Sequence, residues 1–344
     1  LETLVRRLLQ AVLPRTRASA SVNPLPAEGC FLCCGGIQPC SRAQCAKGPS
    51  DLLPTTAWLV PHSPVEVDGV ADNRPFLVAG QRMRAPISEG CGWHDPLSVA
   101  PLPPEHADVV LRRWLALAGA EHAAGIAFSR FALVLAHHGA PEPLLSGAHR
   151  AALEELRHAR GCFSLVSAWE GKQLRPGCLD MSMALEGELA PEQMVRTLVR
   201  EGCVGETVCA AQAAEAAALT QVPAAKALLT QIADDEVGHV ALAWRALRWA
   251  VALYPETRDV ARAAFAEVPD APREPLAGCT VEPGAEAYGV LSCAHAERVR
   301  LTVLEQVVRP LAERVLGAAD GTTAAPERPP EDLAQPTGAA GPLG

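Results

Sequence analysis

The sequence predicts an all-α protein centred on an antiparallel four-helix bundle. Between Glu105 and Leu253, four segments place apolar residues every three or four positions, the period of a buried helical face. The breaks between these segments run short, long, short. That spacing suits two helical hairpins joined by a crossover from one end of a bundle to the other. Aromatic residues make up only 4% of the chain and alanine is abundant, which favours closely packed helices over strands.

The elements follow in order. LETLVRRLLQAVLP, at Leu1–Pro14, reads as one short amphipathic helix. It lacks the continuous apolar core and small-residue cleavage site of a secretory signal. The rest of residues 1–102 is rich in Pro, Gly, Ser and Cys and reads as a loop-rich extension with one or two short strands around Phe76–Ala79. Five of the chain's 12 cysteines, Cys30, Cys33, Cys34, Cys40 and Cys45, crowd together there. A disulfide framework, a metal site and free thiols are all open readings. Disulfides would imply the cell envelope; otherwise the cytoplasm is expected.

After Pro103-Pro104 the bundle domain begins, over residues 103–254. Helix one runs from Glu105 to about His138 and ends at HHGAPEP. Helix two starts at Leu145 or Ser146 and ends at Trp169. EGKQLRPGCLDMSMALEGELA follows with no sustained period and forms the crossover between helices two and three. Pro191 suits the first turn of helix three, which reaches Leu219. TQVP is a short break. Helix four covers Ala224 to Leu253 and is closed by Tyr254-Pro255. Over residues 255–316 extra C-terminal helices are expected, a short one near Thr257–Glu267 and a long one over Ala285–Leu316. The long one packs on the bundle or on a second copy in a homodimer. Residues 317–344 read as a disordered tail.

The net charge of −9 with no basic patch argues against nucleic acid as a partner. No apolar run reaches the roughly 18 residues of a membrane span. Only three basic residues are lysines, and this arginine bias with abundant Ala, Gly and Pro suggests a GC-rich coding genome.

The informative residues are the polar ones inside the apolar stripes. Helix one carries Glu121 between Leu117, Ala118 and Gly125, Phe128. Helix two carries Glu155 and His158 between Ala151 and Cys162. Helix three carries Glu206 in line with Val195, Val199, Gly202 and Cys209, and helix four carries Glu236 and His239 between Ile232 and Ala243. Residues three apart share one helix surface, so each Glu-x-x-His pair can reach one ion. Glu121 precedes Glu155 by 34 residues and Glu206 precedes Glu236 by 30, so each half supplies a glutamate and then a Glu-x-x-His. That is the ligand inventory of carboxylate-bridged di-iron and di-manganese bundles. Four unpaired carboxylates in a core, at several kcal/mol each, would exceed the roughly 5–15 kcal/mol that holds a domain folded. Two divalent ions balance four carboxylates, and oxygen with imidazole donors suits Fe or Mn.

Either motif alone would mean little. With 27 glutamates and 10 histidines, roughly one Glu-x-x-His arises by chance. The conjunction of two motifs, two matching upstream glutamates and the loop pattern is what points to a dinuclear site. Glu201 competes with Glu206, because its spacing to Glu236 is 35, but Glu206 shares the apolar line. His122 turns about 100° away from Glu121. Glu154 and Asp235 sit one residue off their stripes, where they either support a ligand or face solvent. Arg157 and Asp234–Asp235 are candidates to hydrogen-bond the histidines.

On EHAAGIAF, EELRHARGC, EGCVGETV and DEVGHVALAW, the region 105–253 resembles the ferritin-like di-iron superfamily. That group includes rubrerythrin, the ribonucleotide reductase small subunit and the bacterial multicomponent monooxygenase hydroxylases. The resemblance implies a ferritin-like bundle and two metal ions, iron foremost, with Mn or mixed Mn/Fe as alternatives. It implies that Glu155 and Glu236 bridge the ions, with Glu121, Glu206, His158 and His239 as terminal ligands. It also implies O₂ and a small molecule or electron donor as partners. Cys162 stands where the reductase subunits have a radical tyrosine, and the only tyrosines, Tyr254 and Tyr288, fall outside the four helices. The N-terminal cysteines do not match rubredoxin-type knuckles, and the long extensions do not suit a cage subunit. Three classes stay open: an O₂-dependent oxidase or oxygenase, an iron-oxidising, peroxide-removing or storage protein, and a non-catalytic envelope or scaffold protein with a structural metal.

Overall fold

A computed structural model describes residues 1–13, 75–78, 81–271 and 284–317. The cysteine cluster Cys30–Cys45, Ala79 and the tail beyond Gly317 lie outside the described residues. The described chain is all-helical apart from short strands. In order it forms α1 (Glu2–Val12), β1 (Leu77–Val78), β2 (Gln81–Arg82), β3 (Ile87–Glu89), α2 (Pro104–His137) and α3 (Glu142–Glu170). Then come β4 (Leu174–Pro176), α4 (Pro191–Thr197), a π-helical stretch (Leu198–Glu206), α5 (Thr207–Leu219) and α6 (Pro223–Leu253). α7 (Arg258–Ala266), α8 (Cys293–Val303), a second π-helical stretch (Leu304–Val308) and α9 (Arg309–Gly317) complete it. No helix among the described residues is long and apolar enough to cross a membrane.

Proline opens these helices because its fixed φ and missing N–H suit a first turn. Pro104, Pro191 and Pro223 are first helical residues. α3 starts at Glu142, earlier than expected, since Pro143 is tolerated in a first turn. It ends on Gly171 in the left-handed conformation (φ 67°), which a side chain would strain. α2 packs along α3, α5 and the π stretch pack along α6, and α3 also packs on α6. Two apolar clusters fill the space between them. One gathers Phe128, Leu144, Leu198, Trp244 and Leu247. The other gathers Trp114, Phe163, Leu165, Leu229 and Ile232. On α2, α3 and α6 the polar stripe residues fall between the two, at the mid-depth of the helical assembly.

Three features differ from the sequence reading. Leu4, Val5 and Leu8 of α1 bury into the first cluster, and α1 packs on α6, with Arg7 Nη1 2.7 Å from Asp234 Oδ1. The expected crossover of helices two and three contains β4, which pairs antiparallel with β3, Ser88 opposite Arg175. The long helix expected over 285–316 is interrupted. A 3₁₀ turn, Ala285–Tyr288, ends at Gly289 (φ 83°), and the Ser292 hydroxyl then caps α8 by accepting the His295 N–H.

At the foot of α2, His138 is buried with Nδ1 2.8 Å from the Tyr254 hydroxyl. Burial, with His137 adding to it, pulls the His138 pKa from 6.5 to about 4, and the Leu189 backbone works the other way. Between these values the unfolded chain binds more protons than the folded one. Stability is therefore lost as pH falls from about 6.5 towards 4, no more steeply than about 1.4 kcal/mol per pH unit. Unfolding free energies at pH 7 and 4.5 should differ less in His138→Gln than in the parent protein.

Candidate metal centre

All six residues singled out from the sequence meet inside the helices. Ligand-type atoms of Glu121, Glu155, His158 and Glu236 lie within 4.8 Å of one another, and so do those of Glu155, Glu206, Glu236 and His239. Glu155 and Glu236 belong to both groups. Glu121, Glu155, His158, Glu206 and Glu236 are 0% exposed and His239 is 2%. α2, α3, the end of the π stretch and α6 each supply a carboxylate.

The π stretch separates the two competing glutamates. Its i→i+5 bonding widens the turn, so residues five apart lie closer to one face than they would in an α-helix. Glu201 and Glu206 are consequently both buried, one level apart. Glu206 enters the carboxylate cluster, while Glu201 lies 3.8 Å from Arg130 Nη2. Arg130 also lies 3.8 Å from Glu188, donates to the Leu77 carbonyl and stands 4.7 Å above the Phe76 ring. His122 leaves the cluster as expected, its ring edge-on to Trp93 at 5.2 Å.

The imidazoles are oriented by residues on the opposite motif. His158 Nε2 lies 3.0 Å from Asp235 Oδ2 on α6, and His239 Nε2 lies 3.0 Å from Glu154 Oε2 on α3. Each acidic residue just before a motif glutamate therefore holds the histidine of the other motif. Arg157 Nη2 sits between the two acceptors, 3.6 Å from Glu154 and 3.7 Å from Asp235. Asp234 faces α1 instead. With its Nε2 proton donated outward, each histidine turns Nδ1 inward. His158 Nδ1 faces Glu121 at 3.4 Å and Glu155 at 3.5 Å. His239 Nδ1 faces Glu155 and Glu236, both at 3.2 Å.

In a neutral imidazole with the proton on Nε2, Nδ1 carries a lone pair. A lone pair aimed at carboxylate oxygens needs a positive charge between them, either a proton or a metal ion. Both oxygens of Glu121, both of Glu155 and Oε1 of Glu236 make no well-directed hydrogen bond. Such buried atoms are costly to leave unsatisfied. The electrostatics of the protein groups alone show the same shortage of positive charge. Burial, then the Glu155 charge, pushes Glu121 well above the carboxylate range. Burial also acts to raise Glu155, but His158 and His239 outweigh it and hold it below that range. Burial acts to lower both histidines, yet their acidic neighbours, Asp235 first for His158 and Glu236 first for His239, raise them well above 6.5. Oxygen and imidazole donors converging in this way fit a divalent transition ion.

Comparison with protein-family models, curated proteins and solved structures finds no match.

What the site can do therefore rests on its own geometry. A cavity of about 80 Å³ opens beside Glu121. Its walls include Trp114, Leu117, Ala213, Leu229, Ile232 and Leu291, with Cys209 next to the cluster. Burial first, then the nearby carboxylates, pushes the Cys162 and Cys209 thiols well up, so both stay protonated. The sequence reading missed the cavity because its lining comes from α2, α5, α6 and the 289–291 turn, which no local period links. Of the two readings open for Glu154, ligand support or solvent, its contact with His239 favours the first.

Proposed function

We propose that this chain is a ferritin-like dinuclear metal protein, with residues 103–254 as its bundle, acting as an O₂-dependent oxidase or oxygenase on a small molecule. The observation that carries the reading is the inward-facing pair of imidazole Nδ1 atoms, each set against two carboxylates drawn from α2, α3 and α6, with Glu206 of the π stretch in the same cluster. Glu155 and Glu236, shared by the two donor groups, suit bridging positions. Glu121 with His158, and Glu206 with His239, suit the two ends. Iron is the proposed metal, with manganese or a mixed pair as alternatives. When bound and reduced, such a pair supplies O₂ activation together with redox capacity.

The protein's own residues do the rest. Asp235 and Glu154 fix the tautomer and ring orientation of the histidines, which raises their basicity toward a metal. The apolar clusters above and below exclude water and keep the carboxylates' charges unscreened. The cavity at Glu121 favours an enzyme over a storage protein, because it gives a small molecule a place next to the cluster.

Metal analysis of protein purified without added iron tests the reading. Two equivalents of Fe or Mn per chain are expected, and the His158→Ala/His239→Ala double variant should retain well under half an equivalent. Zinc alone, or sub-stoichiometric metal in the parent protein, would turn the assignment to a scaffold protein.

A further inference from the structure

The polar side chains that line the cavity beside Glu121 are engaged elsewhere. Arg113 Nη2 contacts Cys293 Sγ at 3.1 Å and Gln212 Nε2 donates to the Ala296 carbonyl at 2.9 Å, both on α8. Glu121 Oε2 faces His158 Nδ1 at 3.4 Å, within the carboxylate cluster. Burial first, then the carboxylates, keeps the Cys209 thiol protonated. The remaining walls are hydrocarbon, from Trp114, Leu117, Ala213, Ala216, Leu229 and Ile232, with the 289–291 turn on one side. At Gly289 (φ 83°) an added Cβ would stand 3.0 Å from both Leu229 Cδ1 and Trp114 Cζ2, so the turn lies directly against two of those walls.

Volume sets a second limit. A cavity of about 150 Å³ lined by Leu, Ile and Phe holds benzene, which is roughly 25 Å³ per carbon. At that density the cavity of about 80 Å³ takes about three non-hydrogen atoms. Ala213 and Ala216 leave this room because they are neighbours on one face of α5 and each carries only a methyl group.

We infer that the cavity binds an uncharged, apolar molecule of about three non-hydrogen atoms, a hydrocarbon such as propane or propene, and that Ala216 sets the size limit. The inference rests on the oxidase or oxygenase reading, since it names the class of molecule held beside that centre. A hydroxyl or a charge carried between these walls would give up its hydrogen bonds to water with little in return. A hydrocarbon has none to give up, and it gains close contact with the wall atoms.

The test is xenon-129 NMR of the full chain, with propane, ethanol and benzene as competitors at equal free concentration. Metal content is measured on the same samples. Propane and ethanol are equal in size and differ in polarity, whereas benzene is apolar and too large. Xenon is expected to bind, and propane to displace it at least tenfold more effectively than ethanol or benzene. Ala216→Leu adds as many carbons as the space holds and should lose the bound-xenon shift while keeping its metal. Leu229→Ala removes as many and should admit benzene. Displacement by ethanol or benzene as effective as that by propane, in the parent protein, would overturn the inference whatever the variants do. So would an Ala216→Leu protein that keeps its metal and binds xenon normally. Two metal equivalents with no xenon or propane binding would refute the guest class and leave the dinuclear reading intact. Xenon and propane binding in a protein without iron or manganese would uphold the site and overturn the oxidase or oxygenase reading.

Discussion

Replacing Glu121, Glu155, Glu206 and Glu236 together with leucine is expected to yield a folded protein that no longer responds to a chelator. With two ions bound as proposed, each at about 100 times its dissociation constant, each would stabilise the fold by about 2.7 kcal/mol, so removing both should lower stability by about 5 kcal/mol. The loss comes from what the ions leave behind: four carboxylates, all 0% exposed, grouped within 4.8 Å in two overlapping sets. Leucine is similar in volume to glutamate and brings no charge. Replacing buried ionic groups by apolar residues of similar size is often neutral or stabilising. The two histidines would keep their outward bonds to Asp235 and Glu154. Urea unfolding with and without chelator reads the result. The parent midpoint should fall and the variant midpoint should stay fixed within error. If the variant midpoint fell equally, the chelator would be acting elsewhere and the electrostatic account of this core would be wrong.

The second large effect lies one residue outside the proposed ligands. Asp235→Ala is expected to weaken metal binding 10- to 100-fold, and Glu154→Ala to do the same, although neither side chain belongs to the six. Each removal frees a histidine on the opposite helix. His158 loses its 3.0 Å partner when Asp235 is truncated, and His239 loses its own when Glu154 is truncated. A freed ring can rotate and can place its proton on the inward nitrogen, and both outcomes remove a donor. Asp235→Asn retains an oxygen that accepts the Nε2 proton and should recover most of the affinity. Arg157 touches both acceptors, but its side chain is 57% exposed, so Arg157→Ala should change affinity less than threefold. Competition titrations with a chromophoric chelator give all four numbers. A loss in Arg157→Ala as large as in Asp235→Ala would show that net charge near the two acceptors matters, not orientation of the rings.

Much of this site is legible from sequence because its signals are local. Glu155 with His158, and Glu236 with His239, each fit within one helical turn, and their apolar neighbours reveal which way they point. Pro104, Pro191 and Pro223 mark helix starts by steric rules that hold without tertiary context. What escaped depends on partners distant along the chain. Ile87–Glu89 and Leu174–Pro176 are each too short to show alternation, and only their pairing makes them strands. The π stretch carries an apolar pattern that suits an ordinary helix, so the widening that buries both Glu201 and Glu206 leaves no local mark. Glu154 reads as an off-stripe residue on α3 until α6 brings His239 within 3.0 Å of it. The break at Gly289 was hidden because Ala285–Tyr288 and the residues after Ser292 each look helical, and only the approach of Leu229 and Trp114 shows why the chain turns there.

The strand pair Ile87–Glu89 with Leu174–Pro176 fixes where this chain tolerates change in length. It ties the start of the connection after α3 to residues that precede α2, so an extra residue between Gly171 and Leu174 would slip the ladder and turn its side chains over. Beyond Gly177, whose N–H donates to the Pro86 carbonyl, the connection has no strand pairing, but Ala184 buries against Phe76, Glu188 lies near Arg130 and the Leu189 backbone meets His138. Where the connection is exposed, at Asp180–Met183, added length costs only about 0.6 kcal/mol per doubling. Insertions, tags or recognition peptides are therefore expected to be carried at Asp180–Met183, past a pin that keeps the rest of the connection in step.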